Sequence, residues 1–351
     1  MKPPAHVSLR EIADTVGVSV STVSRALGDS NRVSPLTKQA VRAAMSQLAD
    51  GRHAATDNTA TRPMIGVTHS HFTRGAGGRG LDIILEQVLA GVEIACLRAG
   101  YIPYPWQQSP LLTGAEGDPF FAAVSGVVMG GGLIERALLT AIHARGIPVI
   151  IIGGHVPELS VPSVAADNTH GMAEATRHLV RLGHGRIGLV NGPTETYTSF
   201  EKRAGYLAAL TEAGLPADPA LIRAGEGYHG FDAPAAEACT EALLALPQPP
   251  TAILYASDTM VESGIRVLQR HRLSIPRDIS VIGFHDDHNA RYLHPPLTSV
   301  HVDRTVWGEV ATEQLLQLIG GAIMRPTRTL LPVELIVRAS TGPAPVQENT
   351  V

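Results

Sequence analysis

Ser19, Val20, Ser21, Thr22, Ser24 and Arg25 fall within the stretch "SVSTVSR". Short hydroxyl side chains donate to phosphate oxygens, and an arginine offers paired N–H groups to a guanine edge. On a helix Ser21, Ser24 and Arg25 stand at i, i+3 and i+4, so they share one outer face. A DNA major groove about 12 Å wide admits a helix whose outer face carries small polar residues and a few long ones. Ser19, Thr22, Ser24 and Thr37 suit phosphate contact, and Val20, Ser21 and Arg25 suit base edges. Asn31 joins the same DNA-facing set. A small solvated helical cap is the alternative reading of this pattern.

Elements able to position such a face are legible around it. Ser8 precedes "LREIADTVGV", in which Leu9, Ile12, Ala13 and Val16 recur at helical spacing and Gly17 provides a stop. Ser19 caps "VSTVSRAL", whose Val23, Ala26 and Leu27 turn inward. Ser34 caps a third helix with Pro35 at its first position and Val41, Ala44, Met45 and Leu48 as its inner stripe. Two short helices joined by a tight turn and braced by a third make a helix-turn-helix. Charge agrees: residues 1–62 hold eight Lys or Arg against five Asp or Glu, leaving 20 against 27 for the remainder of a chain whose net charge is -4. A basic head on an acidic body points to an anionic partner for the head alone.

From Pro63 onward, apolar β-like runs alternate with helical patterns. The strand candidates are "MIGVTH", "YIPYPW", "GVVMG", "PVIIIG", "SVAAD", "RIGLVNG", "LIRAGE", "AILYAS", "SVIGFH" and "LTSVHVD". Helical stretches such as "ILEQVLAGVEIACLRAG", "GMAEATRHLVRLG" and "RAGYLAALTEAG" separate many of them. This alternation predicts an α/β body with parallel sheets covered by helices, too large for one sheet and therefore two-lobed. Ligands in such folds bind beyond the carboxyl ends of strands, here between the lobes. The domain reading is a helix-turn-helix head over 1–50, a linker over 51–62 and an effector-binding and dimerisation body over 63–345.

Other motifs carry less. "GAGGRG" places Gly75, Gly77 and Gly80 in a G-x-G-x-x-G pattern, but "HSHFTR" separates it from the preceding strand and the next strand ends without a carboxylate, against a dinucleotide site. It reads as a loop at the cleft mouth. "HSH" (His69, His71) and "HDDH" (His285, Asp286, Asp287, His288) contain metal-capable side chains that serve equally as hydrogen-bond partners of a polar ligand. No nucleophile–base pattern is present. The expectation is therefore no catalytic residue, no cofactor and no metal. The opening "MKPPAHVSLREIADTVGV" lacks a continuous apolar segment, and no apolar run is long enough to span a bilayer. Cys96 and Cys239 lie far apart in apolar patterns. Both points predict a cytoplasmic protein with reduced thiols.

The stretch "VSLREIADTVGVSVSTVSRALGDSNRVSPLTKQAVRAAM" resembles the N-terminal domain of the lactose/galactose repressor family of bacterial transcription regulators. "SVAADNTHGMAEATRHLVRLGHGRIGLVNGP", "AILYASDTMVESGIRVLQRHRLSIPRDISVIGFHDDHNARYLHPPLTSV" and "ELIVRASTGP" extend the resemblance over nearly the whole body. It implies a type I periplasmic-binding-protein-like sensor whose chain crosses between lobes three times. The first lobe would hold 63–166 with part of 295–345, and the second 167–294. It also implies a homodimer that reads a palindromic double-stranded operator and responds to a small sugar or anionic sugar derivative. A periplasmic-type solute-binding protein without a DNA role is the alternative.

Effector contacts follow from local matches to the family. "DN" after "SVAA" places Asn168 in the cleft. The arginine before "GY" falls on Lys202 or Arg203. An aromatic wall falls on Tyr228 or His229. "ASD" puts Ser257 where a contacting asparagine is usual. In "GFHDD", His285 stands where a sugar-binding aspartate is usual, and Asp286 is the residue able to restore it. His69 and Phe72, with Arg74 and Arg79 nearby, occupy the loop after the first strand. A basic residue at 285 beside these donors favours an anionic sugar derivative.

The linker "SQLADGRHAATDNTATRPMIGV" departs from the family, whose hinge helix carries Tyr, Pro, Asn and a leucine that wedges into the minor groove. Residues 51–62 instead read as flexible, with Arg52 near phosphate. Circular-permutation gels on the operator are expected to show weaker central bending than wedge-bearing relatives produce. A sharp central kink would overturn that reading.

Overall fold

Ile12 and Val23 have no solvent-exposed surface, and the head folds around them together with Ala13, Ala26, Leu27, Val33, Val41 and Ala44. The structure is a computed structural model describing residues 9–16, 18–28, 33–34, 37–38, 40–41, 44, 62–69, 83–106, 119–130, 136–225, 233–322 and 326–345, except the side chains at 11, 14, 69, 83–85 and 119. Its contacts divide the chain into two units, 1–62 and 63–351.

In the first unit, α1 (Leu9–Val16) and α2 (Val20–Leu27) pair, and Thr37, Lys38, Ala40, Val41 and Ala44 are helical. The tight turn between α1 and α2 is closed by the Val18 amide donating to the Ala13 carbonyl at 3.0 Å. Ser19 is the N-cap of α2 in extended backbone, and its Oγ accepts from the Thr22 amide at 3.2 Å. The inner faces expected of α1 and α2 are those observed. Met45, Leu48 and the linker up to residue 61 lie outside the described residues.

The second unit is built on two six-stranded sheets. The first contains β1 (Met64–His69), β2 (Ile102–Pro105), β3 (Val124–Gly130), β4 (Val149–Ile152), β5 (Ser163–Ala166) and β11 (Arg328–Leu331) in the order β11-β5-β4-β3-β1-β2. The second contains β6 (Ile187–Asn191), β7 (Ile222–Ala224), β8 (Ala252–Tyr255), β9 (Ser280–His285), β10 (Thr298–His301) and β12 (Glu334–Ile336) in the order β12-β10-β9-β8-β6-β7. Every pairing is parallel except that of β10 with β12. The central strands β4, β5, β6 and β8 are buried along their whole length, which is why they read as unbroken apolar runs rather than alternating ones.

The covering helices are α3 (Ile83–Ala99), α4 (Pro119–Ala123), α5 (Arg136–Ala144), α6 (Asn168–Arg181), α7 (Tyr197–Glu212), α8 (Ala233–Leu244), α9 (Asp258–Arg270) and α10 (Arg304–Ile319). All ten expected strand segments contain strands, whereas β11 and β12 were not anticipated. They are only four and three residues long and none of their side chains is fully buried, so neither carries an apolar signature.

The lobe assignment needs a correction. The expected second lobe ended at 294, but β10 and β12 both belong to the second sheet. Among the described residues of this stretch, α10, which packs on α3, β3 and β4, and β11 return to the first lobe. The chain thus passes between sheets after β5, after β10 and after β11. Cys96 and Cys239 are free and buried, and burial pushes the Cys96 thiol up to about 11.

Helices α3 and α10 meet backbone to backbone. A Cβ on Gly308 would lie 2.2 Å from the Val88 carbonyl oxygen, and one on Gly91 would lie 1.9 Å from that of Thr305. Neither neighbour can rotate away, because both are main-chain atoms. Gly308→Ala is expected to destabilise the protein by about 1–3 kcal/mol through overpacking. Urea unfolding should show a lower midpoint at unchanged slope, and an unchanged midpoint would refute the close approach.

Candidate functional site

The outer face of α2 is a network of hydroxyl groups with one guanidinium. Ser19 Oγ lies 2.9 Å from Ser21 Oγ and 2.8 Å from Thr22 Oγ1. Arg25 folds along the helix, donating from Nε to the Ser21 carbonyl at 3.0 Å and from Nη2 to Ser21 Oγ at 3.1 Å. Ser19, Ser21, Ser24 and Arg25 are exposed, Thr22 is half-buried, and Val20 retains 44% of its surface. An exposed valine beside a positioned arginine gives this face an apolar contact and a long donor, the two kinds of group that read base edges. Thr37 is half-buried, and its amide donates to Ser34 Oγ at 3.1 Å. Asn31 lies outside the described residues.

In the second unit, polar side chains from both lobes converge. Asn168 opens α6 directly behind β5. It is buried, and its Nδ2 donates to Glu201 Oε2 at 3.0 Å. Glu201 in turn pairs with Arg328 of β11, whose guanidinium sits 4.9 Å from the centre of the Tyr197 ring. Glu201 and Tyr197 belong to α7 beside the second sheet, so the pair spans the lobes.

The structure separates the two basic candidates before "GY". Lys202 is buried, donates from Nζ to the Ala256 carbonyl at 2.7 Å and lies 3.9 Å from the centre of the Phe284 ring. Arg203 is exposed. Burial first, and then the nearby Arg304 guanidinium, brings the Lys202 pKa down to about 7. Ser257 caps α9, accepting from the Met260 amide at 3.3 Å and touching Thr259 Oγ1 at 3.1 Å.

The turn after β9 is strained. His285 and Asp286 have φ of 107° and 53°, in a region that disfavours residues with a Cβ. His285 is half-buried with Nδ1 enclosed, and burial, reinforced by Lys202 and Arg304, holds its pKa well below the ordinary imidazole value. Of the two roles open to His285, hydrogen bonding and carrying positive charge, its burial disfavours the charged one. Asp286, the carboxylate next to it, pairs with Arg338 at 2.6 Å and with His301 at 3.4 Å.

Asp287 pairs with Arg304 at 2.6 Å, and the same Arg304 nitrogen donates to Gln87 Oε1 at 3.0 Å. Asp258 accepts from Ser299 Oγ and from the Asp287 amide, both at 2.7 Å. Burial and the Asp287 charge push the Asp258 carboxyl up to about 7. Phe72, Tyr228, His229 and the "GAGGRG" loop lie outside the described residues, as does the His69 side chain at the end of β1.

Residues 8–49 match the family model for bacterial regulatory proteins of the lacI family, and residues 176–341 match that for a periplasmic binding protein-like domain. An HTH-type transcriptional regulator in the aml 5' region of Streptomyces limosus is 30% identical over 97% of this chain and 95% of its own length. The chain belongs to the lacI family. It is a DNA-binding, ligand-responsive transcription regulator, and the alternative of a solute-binding protein without a DNA role falls.

Other lacI-family relatives match over the full length. The regulator CelR of Thermobifida fusca is 29% identical over 95% of this chain and 98% of its own. A CelR–cellobiose complex superposes with a TM-score of 0.70 at 26% identity, covering 95% of this chain and 100% of the other. The lac repressor dimer bound to operator and an anti-inducer superposes with a TM-score of 0.66 at 26% identity, covering 97% and 100%.

Sequence reasoning missed Glu201, Asp258 and Arg304. A signal for Arg304 was present. It follows the cap Asp303 as the first residue of α10, where the helix dipole disfavours a cation, so a compensating acid was required. Glu201 and Asp258 carried no such signal beyond adjacency to Lys202 and Ser257.

Arg25 is the long donor on the outer face of α2. Arg25→Ala is expected to weaken operator binding by about 1–3 kcal/mol while leaving random DNA nearly unaffected. Fluorescence anisotropy on both duplexes checks this, and equal losses on the two would make Arg25 a phosphate contact only.

Proposed function

We propose that the protein is a homodimeric repressor that reads a palindromic operator and whose DNA affinity is set by a small sugar-type effector held between the lobes. The observation carrying this reading is that one chain joins a capped, groove-shaped α2 to a body whose lobes are linked across their gap by buried charges. Arg328 of the first lobe reaches Glu201 of the second, and Arg304 reaches Asp287. A ligand entering that gap competes with or completes these contacts. It thereby has different affinity for open and closed arrangements, which is what a ligand must have to shift an equilibrium.

Two relatives support the details by analogy. CelR has been solved with cellobiose, and the lac repressor as a dimer on its operator. One head reaches only a half-site, so pairing is needed to read a palindrome. The edge of the first sheet offers a face for it: β2 is an edge strand with Ile102 and Tyr104 exposed, and Leu97 just before it is 59% exposed.

A mobility shift with the region upstream of the protein's own gene tests the reading. Linkage of two heads is expected to make a full palindrome bind about 10²–10⁴ more tightly than an isolated half-site. Sedimentation should show a dimer that Ile102→Glu with Tyr104→Glu dissociates, with loss of palindrome binding. Equal affinity for half and full sites would refute the dimeric mode.

A further inference from the structure

Arg304 is 2% exposed, and among the described residues only one of its three guanidinium nitrogens has a hydrogen-bond partner. Nη1 serves both Gln87 and Asp287, whereas Nε and Nη2 have no acceptor among the described residues. These two form one edge of the guanidinium, with parallel N–H groups that match a carboxylate or phosphate bidentately. A cation present only to neutralise Asp287 needs no such empty edge. Helix α10 does not explain it either, because a positive charge at a helix N-terminus is unfavourable.

Three basic groups share the buried space. Burial first and then Arg304 depress Lys202, against the opposing pull of Asp258, Glu201 and Asp287, and burial, Lys202 and Arg304 depress His285. The nearby acids are committed within the protein: Glu201 to Asn168 and Arg328, Asp258 to Ser299 and the Asp287 amide, Asp286 to Arg338, and Asp287 to Arg304. The polar side-chain atoms without a hydrogen-bond partner in this part of the described residues include the donors Arg304 Nε and Nη2 and Arg328 Nε, His285 Nδ1, which plays either part, and the acceptors Asn191 Oδ1 and Asp286 Oδ1, the last already ion-paired with Arg338. Hydroxyl groups of a neutral sugar need acceptors as well as donors, whereas an acid group needs donors only.

We propose that the effector carries a carboxylate or phosphate on a sugar-like frame, seated on the Nε–Nη2 edge of Arg304 with Lys202 as the second cation. This rests on the reading of the interlobe gap as the effector site. The Arg304 edge is closed to solvent in the present arrangement, so the acid reaches it when the lobes part. The positive charge of the seat comes from Arg304 and Lys202, with His285 beside them as a hydrogen-bonding neighbour.

Titration calorimetry on the full-length protein, with gluconate, glucuronate and glucose 6-phosphate against glucose and cellobiose, tests the assignment. At least one acidic probe is expected to bind tenfold or more tightly than every neutral one. Arg304→Lys, which keeps the charge but removes the fork, should reduce that preference at least tenfold. The double variant Arg304→Gln with Asp287→Asn, which leaves no buried charge unpaired, should abolish it. Circular dichroism and thermal melting identify a variant that fails to fold, and the wild-type comparison decides the matter without either variant. Neutral probes binding better than acidic ones, or no acidic probe binding at millimolar concentration, overturns the proposal. Operator binding measured on the same preparation separates the outcomes: if it persists, only the acid seat is wrong, and if it is absent, the regulator reading beneath it fails too.

Discussion

A guanidinium taken out of water must be neutralised by a partner in good geometry, and Arg304 of the first lobe meets that requirement on Asp287 of the second. Its acid, Asp287, donates its amide to Asp258, which also takes the hydroxyl of Ser299. Ser299 in turn accepts from the amide of Asp286, whose carboxylate is held by Arg338. One cation from the first lobe is thereby tied through a continuous polar chain to β9, β10 and the segment after β12. The positive φ of His285 and Asp286 becomes intelligible in this light, because the turn after β9 must present amides and carboxylates in opposite directions within three residues. Gly283 belongs to the same arrangement: a Cβ there would lie 2.0 Å from Asp258 Oδ1.

Glu201 provides a second tie of different character. It is buried, but its partner Arg328 keeps part of its side chain open to solvent. Partial hydration lowers the cost of separating the two charges, whereas the Arg304–Asp287 pair is enclosed almost completely. The two ties therefore differ in how readily they open. Motion between the lobes is eased on the Glu201 side and resisted on the Arg304 side.

Much of this was legible before any coordinates. Local signals carried the head: Ser19 as cap, Val23, Ala26 and Leu27 as inner face, and Ser21, Ser24 and Arg25 as outer face all depend on contacts a few residues apart. Central strands announced themselves as apolar runs. The failures were non-local. Residues β11 and β12 use are too few and too exposed to produce a pattern, and the lobe that receives β10 is decided by pairing with β9 rather than by anything within "LTSVHVD". Which of its two roles His285 favours was not legible, because composition shows an imidazole but neither its burial nor the lysine and arginine that fold against it. Glu201 and Asp258 looked like neighbours of the interesting residues, and their burial, not their identity, makes them part of the site.

The threefold passage between sheets also bears on how the protein is made. The first sheet lacks its edge strand β11 until α10 and nearly all of the second sheet have been synthesised, and the second sheet lacks β12 until β11 is complete. Neither lobe is a contiguous stretch of polypeptide, so neither can finish folding as the ribosome delivers it, as successive domains ordinarily do. A nascent chain must hold two unfinished sheets, each with an unpaired edge, until its last segments emerge. Truncation near the C-terminus would therefore damage both lobes at once.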